Sequence, residues 1–171
     1  MSAPAPRYGH PGYGHGVFRA GVRIAVDVGT VRVGVAASDP TGSLASPLAV
    51  VRRDPRAGSD LDQLVALVVE RGAVEVVVGL PRTLRGTDSA STADARAYAA
   101  ALARRIAPVP VRLVDERLTT VTAARGLRSA GRSARASRDS IDAAAAVVLL
   151  DAALDRERAT GEPAGDAVAV Q

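Results

Sequence analysis

The stretch RIAVDVGTVRVGVAASD, residues 23–39, contains two apolar runs joined by the short connection Gly29-Thr30-Val31. One carboxylate, Asp27, sits inside the first run. Both runs have strand length and are rich in valine, and the glycine-bounded break between them reads as a hairpin. A buried strand carrying an unpaired carboxylate loses several kcal/mol of stability. A strand interior also has no helix start to cap, so Asp27 calls for a counter-charge brought from elsewhere in the chain.

Working outward, residues 48–53, 74–80 and 111–116 read as further strands, and 74–80 (VEVVVGL) has the continuous apolar character of a strand buried on both faces. Helices are expected over 59–72, 87–107, 119–131 and 137–158. Ser59 or Asp60 is a candidate cap for the first, and Gly72 its terminator. The order βββαβαβαα, a meander followed by crossover units, predicts an α/β fold: a mixed sheet flanked by helices. Residues 1–21 are rich in Gly, Pro, Tyr and His without a period and read as a disordered leader. The domain then spans 22–158, and 159–171 reads as a flexible tail. His10 and His15 lie in the leader, where a solvated tail is the default over metal binding.

The 171 residues suit one domain with a core, 47% of them hydrophobic. No apolar run approaches the roughly 18 residues of a membrane helix, and the start lacks a signal-peptide pattern, so no membrane partner is expected. The absence of cysteine excludes disulfides and thiolate metal sites and fits a cytoplasmic location. Aromatics are 2%, too few for a base-stacking platform. The formal charge is +4 with arginine as the only strong base, so the placement of the arginines says more than their number.

Three acidic positions are unusual. Asp27 interrupts a strand, Asp115 and Glu116 end another, and Asp142 stands on a helix stripe that continues as Ala145, Ala146 and Leu149. Asp139 lies one turn before Asp142. Carboxylates drawn from strand ends and a helix start, without Cys or His, suit Mg²⁺ or Mn²⁺. Two such ions about 4 Å apart drive in-line attack of water on a phosphodiester. Plainer readings stand beside this one. Asp139 is also an ordinary first-turn acid, Asp115 can pair with Arg117 or Arg112, and Asp142 can cap or pair.

The basic residues point the same way. From Arg117 to Arg138 there are six arginines and no acid, and the last part of this segment (RSAGRSARASR, 128–138) leads into Asp139 and Asp142. Arg82 and Arg85 belong to a glycine-bounded loop after a strand, where sites gather in sheets with crossover helices. Arg82, Arg85, Arg117, Arg132 and Arg135 are therefore candidate phosphate contacts.

Four segments, AVDVGTVRVGVAASD (25–39), VVGLPRTLRGT (77–87), VDERLTT (114–120) and IDAAAAVVLLDAAL (141–154), together resemble the YqgF (RuvX) family over about residues 22–155. That resemblance implies a ribonuclease H-like fold with a five-stranded sheet in the order 3-2-1-4-5, strand 2 antiparallel. It implies pre-16S rRNA nuclease activity and kinship with RuvC-type junction resolvases. Its acidic positions map to Asp27, Glu116 and Asp142, with Asp139 the less certain fourth, and its R-x-G places Arg32 near the site as a further candidate nucleic-acid contact. The arginine after the proline, Arg82, departs from the commoner form of that loop.

The expected activity is a metal-dependent endonuclease acting on structured RNA at the 5′ end of the pre-16S rRNA. The alternatives are a Holliday junction resolvase acting on branched DNA and an RNA-binding assembly factor without catalysis. An ATPase of the actin type, suggested by DVGT, is disfavoured because the chain lacks room for a second domain. Both a monomer and a homodimer are compatible with the sequence.

Overall fold

The computed structural model describes residues 17–118 and 136–170, and the side chains of these apart from 118 and 136–140. In chain order the elements are β1 (Arg23–Val28), β2 (Arg32–Ser38), β3 (Ala45–Arg52), α1 (Ser59–Arg71), β4 (Glu75–Leu80), α2 (Ala90–Ile106), β5 (Val111–Asp115), a 3-10 turn (Glu116–Leu118), α3 (Ala136–Thr160) and β6 (Asp166–Ala167). They form one mixed sheet in the order β3-β2-β1-β4-β5-β6. β2 is antiparallel to β1 and β3, while β4 is parallel to β1 and β5. The expected 3-2-1-4-5 core is present, with a sixth strand added at the edge. The helix expected over 119–131 lies outside the described residues.

Alternation along the strands sorts side chains to two faces. Ile24, Val26, Val33, Val35, Val76 and Val78 meet Leu61, Leu64 and Val68 of α1 and Tyr98, Ala99 and Leu102 of α2. On the other face, Ala25, Ala36, Val77 and Val114 meet Ala145, Ala146, Leu149 and Leu150 of α3. Small residues on both sides of this second interface let α3 lie close to the sheet. Each of the buried leucines contributes about 1.5–3 kcal/mol of apolar transfer. Among the described residues, no helix is long and apolar enough to cross a membrane.

The helix ends show where local pattern and tertiary context part. Gly72 closes α1 in the left-handed conformation, as its sequence implies. Neither Ser59 nor Asp60 caps the start: Gly58 holds that position, Ser59 Oγ donates to Asp54, and Asp60 is buried beside Arg53. The α2 start is a capping box made by Ser89 and Thr92. Thr92 Oγ1 also donates to the Pro81 carbonyl, which ties the loop after β4 to this helix.

Both ends of the domain reach further than the pattern implies. Within the expected leader, Gly21 N donates to the Pro40 carbonyl at 2.8 Å, and Phe18 packs under the guanidinium of Arg23. Within the expected tail, α3 continues to Thr160, Ala164 is buried, and β6 pairs with Arg112 and Leu113. Arg112 secures this segment through the carbonyls of Ala164 (2.8 Å) and Gly165 (2.5 Å). Two-residue β6 is too short to carry a strand pattern, so periodicity could not have found it.

Candidate active site

Asp27 is 5% exposed and lies in the central strand, on the face covered by α3. Glycines flank it on both neighbouring strands. Gly34 pairs directly with Asp27 across β1 and β2. Gly79 stands one residue beyond Val78, the partner of Val26, and so lies level with Asp27 on β4.

These glycines leave room for the other two acids. A Cβ on Gly34 would stand 2.0 Å from the main-chain oxygen of Asp142, so α3 rests its backbone on β2 at this point. A Cβ on Gly79 would stand 2.6 Å from Oε1 of Glu116, whose carboxylate therefore lies over β4. Glu116 opens the 3-10 turn after β5 and is 5% exposed. Asp142 and Glu116 thus flank Asp27 on the same face, brought from sequence positions far downstream.

An open cleft of about 470 Å³ exposes this end of the sheet, with Asp27, Thr30, Arg32, Pro81, Asp94 and Asp142 in its wall. Arg32 Nε donates to Asp142 Oδ2 at 3.0 Å, which agrees with the placement expected for Arg32. The hairpin between β1 and β2 turns at Gly29, whose N–H donates to the Arg32 carbonyl at 2.9 Å. A Cβ on Gly29 would meet that carbonyl oxygen at 2.5 Å, so only glycine permits this tight return beside Asp27.

Two residues at this site escaped the sequence reading. Arg53 donates to the Gly29 carbonyl at 2.9 Å and grips Asp94 at 2.8 and 3.1 Å, with its guanidinium 4.9 Å from the Tyr98 ring centre. It therefore fastens the turn after Asp27 to the start of α2. The hydrogen bond from Arg53 holds the Asp94 carboxyl below the usual carboxylate range. A basic residue just past a strand end carries no signal of this role, because its partners lie in other elements.

The remaining candidates divide. Asp115 takes the plainer course: Arg117 binds it through Nη2 at 2.7 Å, and this hydrogen bond is the main cause of its lowered pKa. Arg117 packs against Gly86 of the β4–α2 loop. Arg82 on that loop stands 3.4 Å from Asp88 and 3.8 Å from Asp115, while Arg85 is exposed. The side chain of Asp139, in the first turn of α3, and the whole of Arg132 and Arg135 lie outside the described residues.

The donor set suits a hard divalent cation: carboxylate oxygens from three elements, two of them almost wholly buried. Among the described residues, no three Asp, Glu, His or Cys side chains already close on one point as a metal site. What the main chain does provide is the placement of all three acids on one face of the sheet, around the central strand.

A family model described as "RuvX: Holliday junction resolvase" matches residues 21–156. The chain belongs to the RuvX family. RuvX relatives of high similarity include a "Putative pre-16S rRNA nuclease" of Mycolicibacterium paratuberculosis, 58% identical over 146 residues, with 85% of this chain and 87% of that protein covered. A protein of the same name from Thermobifida fusca is 55% identical, with 88% of this chain and 97% of that protein covered. Among solved structures, T. thermophilus RuvC in complex with a Holliday junction substrate superposes with a TM-score of 0.51 at 20% identity. That match covers 84% of this chain and 99% of RuvC, and it establishes the ribonuclease H-like fold for this RuvX chain.

Proposed function

We propose that this chain is a divalent-cation-dependent endonuclease that hydrolyses phosphodiester bonds in structured RNA, with the 5′ end of the pre-16S rRNA as its substrate. The observation that carries the reading is the row Gly34–Asp27–Gly79. It seats Asp142 and Glu116 on either side of a buried aspartate at an open cleft. Membership of a family whose relatives bear a nuclease name supports the same conclusion.

Asp27, Glu116 and Asp142 would hold Mg²⁺ or Mn²⁺, with Asp139 as a further ligand from the same helix. The bound cation supplies Lewis-acid stabilisation of phosphate charge and a more acidic water. Asp27 gives the site rigidity, because its strand is hydrogen-bonded on both sides and buried. Arg32 orients the Asp142 carboxylate from the wall of the cleft. Arg53 keeps the Gly29 turn, and Thr30 with it, at a constant position against the backbone of an incoming strand. Arg82, Arg85, Arg117, Arg132 and Arg135 would contact phosphates on the flanks.

The family description and the RuvC fold favour branched DNA as a second substrate. One experiment separates the readings. Wild type and Asp27→Asn are incubated with precursor 16S fragments, four-way DNA junctions or ATP, in Mg²⁺, Mn²⁺ or EDTA. The expected result is cation-dependent cutting of the precursor fragment that vanishes in Asp27→Asn. Junction cutting alone would make the chain a resolvase. RNA binding without cleavage under every cation would leave an assembly factor, and ATP turnover would overturn the nuclease altogether.

A further inference from the structure

A second cleft, of about 540 Å³, opens at the other side of the β4–α2 loop. Pro81 lines the cleft of the acids, and its neighbour Arg82 lines this one. The two clefts therefore share one loop. The floor of the second is Leu80 and Val114, and its walls include Arg82, Arg96, Arg112 and Arg156. These arginines come from a loop, α2, β5 and α3, so nothing in their spacing along the chain announces the cluster.

The cleft exists because β6 is short. It covers β5 only at Arg112 and Leu113, so the edge of β5 is left open at Val114 and Asp115, immediately before Glu116. The charges in the wall are unevenly matched. Asp115 is already bound by Arg117, and Asp88 lies between Arg82 (3.4 Å) and Arg96 (3.7 Å). Arg112 donates to neutral carbonyls, which satisfy its N–H groups without cancelling its charge. Arg156 is exposed and has no acidic partner among the described residues. Glu162 and Asp166 also line the cleft from its exposed C-terminal side and temper its charge.

We infer that this cleft binds the phosphate backbone of a single-stranded flank of the substrate, next to the bond-cutting site. The inference rests on the endonuclease reading for its substrate, while its residues are separate from the acids. The volume is that of a small-ligand site and suits about one or two nucleotides of a single strand. A strand leaving the acid row past Glu116 reaches Asp115 and Val114 next, and so enters the cleft directly. Arg96 of α2 and Arg156 of α3 are the phosphate contacts, and Arg112 supplies positive charge at the wall.

The test uses the full chain and two fluorescein-labelled RNA hairpins, one with a single-stranded flank and one trimmed flush. Binding is read by anisotropy in EDTA across a salt series, so the result does not depend on cleavage. The double variant Arg96→Ala/Arg156→Ala should weaken binding of the flanked RNA about tenfold. It should also flatten the slope of log K against log salt by about 1.4, from about 0.7 per lost single-strand phosphate contact. The trimmed RNA should bind the variant and wild type alike. Glu162→Gln, on the exposed surface, should tighten the flanked RNA alone. Equal losses on both RNAs, or no loss on either, would overturn the assignment. Wild type that fails to cut either RNA in Mg²⁺ or Mn²⁺ would sink the nuclease reading instead, while the anisotropy comparison still decides the cleft.

Discussion

Strand β1 carries a charged residue at each end of one face, and the two ends are built on opposite plans. Arg23 and Asp27 both point to the α3 side, with Ala25 between them. At the Arg23 end, Glu157 of α3 takes hydrogen bonds from Arg23 (3.0 Å) and Arg19 (2.7 Å), and Arg19 reaches on to Glu75 (3.0 Å). Two arginines answer two glutamates, and Arg23, Glu75 and Glu157 are all buried. At the Asp27 end, three acids are gathered from β1, α3 and the turn after β5, with Arg32 on Asp142. Burial alone therefore does not mark a functional carboxylate. Glu157 is as buried as Asp27, yet it is answered by two arginines, the buried Arg23 and the partly exposed Arg19, whereas the Asp27 end opens into a cleft.

The largest effect should come from breaking the Arg23 end. Glu157→Ala leaves Arg23 buried without its carboxylate, and removal of one partner from such a pair costs about 3–5 kcal/mol. Urea unfolding should register that loss, while the folded fraction keeps its cleavage chemistry. Activity lost in proportion beyond the unfolded fraction would erase the distinction between the two ends.

Gly79→Ala addresses the open end with a smaller cost. Its Cβ would press on Glu116 Oε1 (2.6 Å) and on Leu149 Cδ2 (3.2 Å), both side-chain atoms able to give. Stability should fall by about 1–3 kcal/mol, as overpacking usually costs, and kcat should drop at least as sharply as KM changes little. A variant with wild-type kcat would remove Glu116 from the reacting group.

The smallest effect is a matter of pH. Burial pushes the Glu157 carboxyl up, but the hydrogen bonds and charges of Arg19 and Arg23 outweigh it and hold the pKa below its ordinary 4.5. A depressed pKa contributes stability above the unfolded value and loses it as pH falls through the folded value. Wild type should therefore lose stability below pH about 4, and Glu157→Gln should lose less over the same interval. Parallel slopes in urea titrations from pH 5 to pH 3 would mean that the network does not govern acid stability.

Much of the fold was legible because it is written in short periods. The valine-rich runs around Asp27, the apolar run 74–80 and the Gly72 stop all appear as read, and the sheet order follows from the family resemblance. Asp27 itself was conspicuous because a strand interior offers it nothing local. Arg53 and Asp94 were invisible for the converse reason: each looks like an ordinary surface charge until α2 is folded back against the hairpin. The short strand β6 and the packing of Phe18 and Arg19 were missed because those segments are poor in regular pattern and gain order only by docking on elements already formed.

The sequence by itself determined the alternation of strands and helices, the glycines that permit close approach, and the acids in conspicuous places, since each is a property of neighbouring residues. Only the tertiary structure decided which charges meet. Arg23 and Glu157 are 134 residues apart, and Arg32 and Asp142 are 110. An ion pair is set by distance in space, and no local pattern distinguishes a carboxylate that will find arginines from one that will share a cleft with other acids.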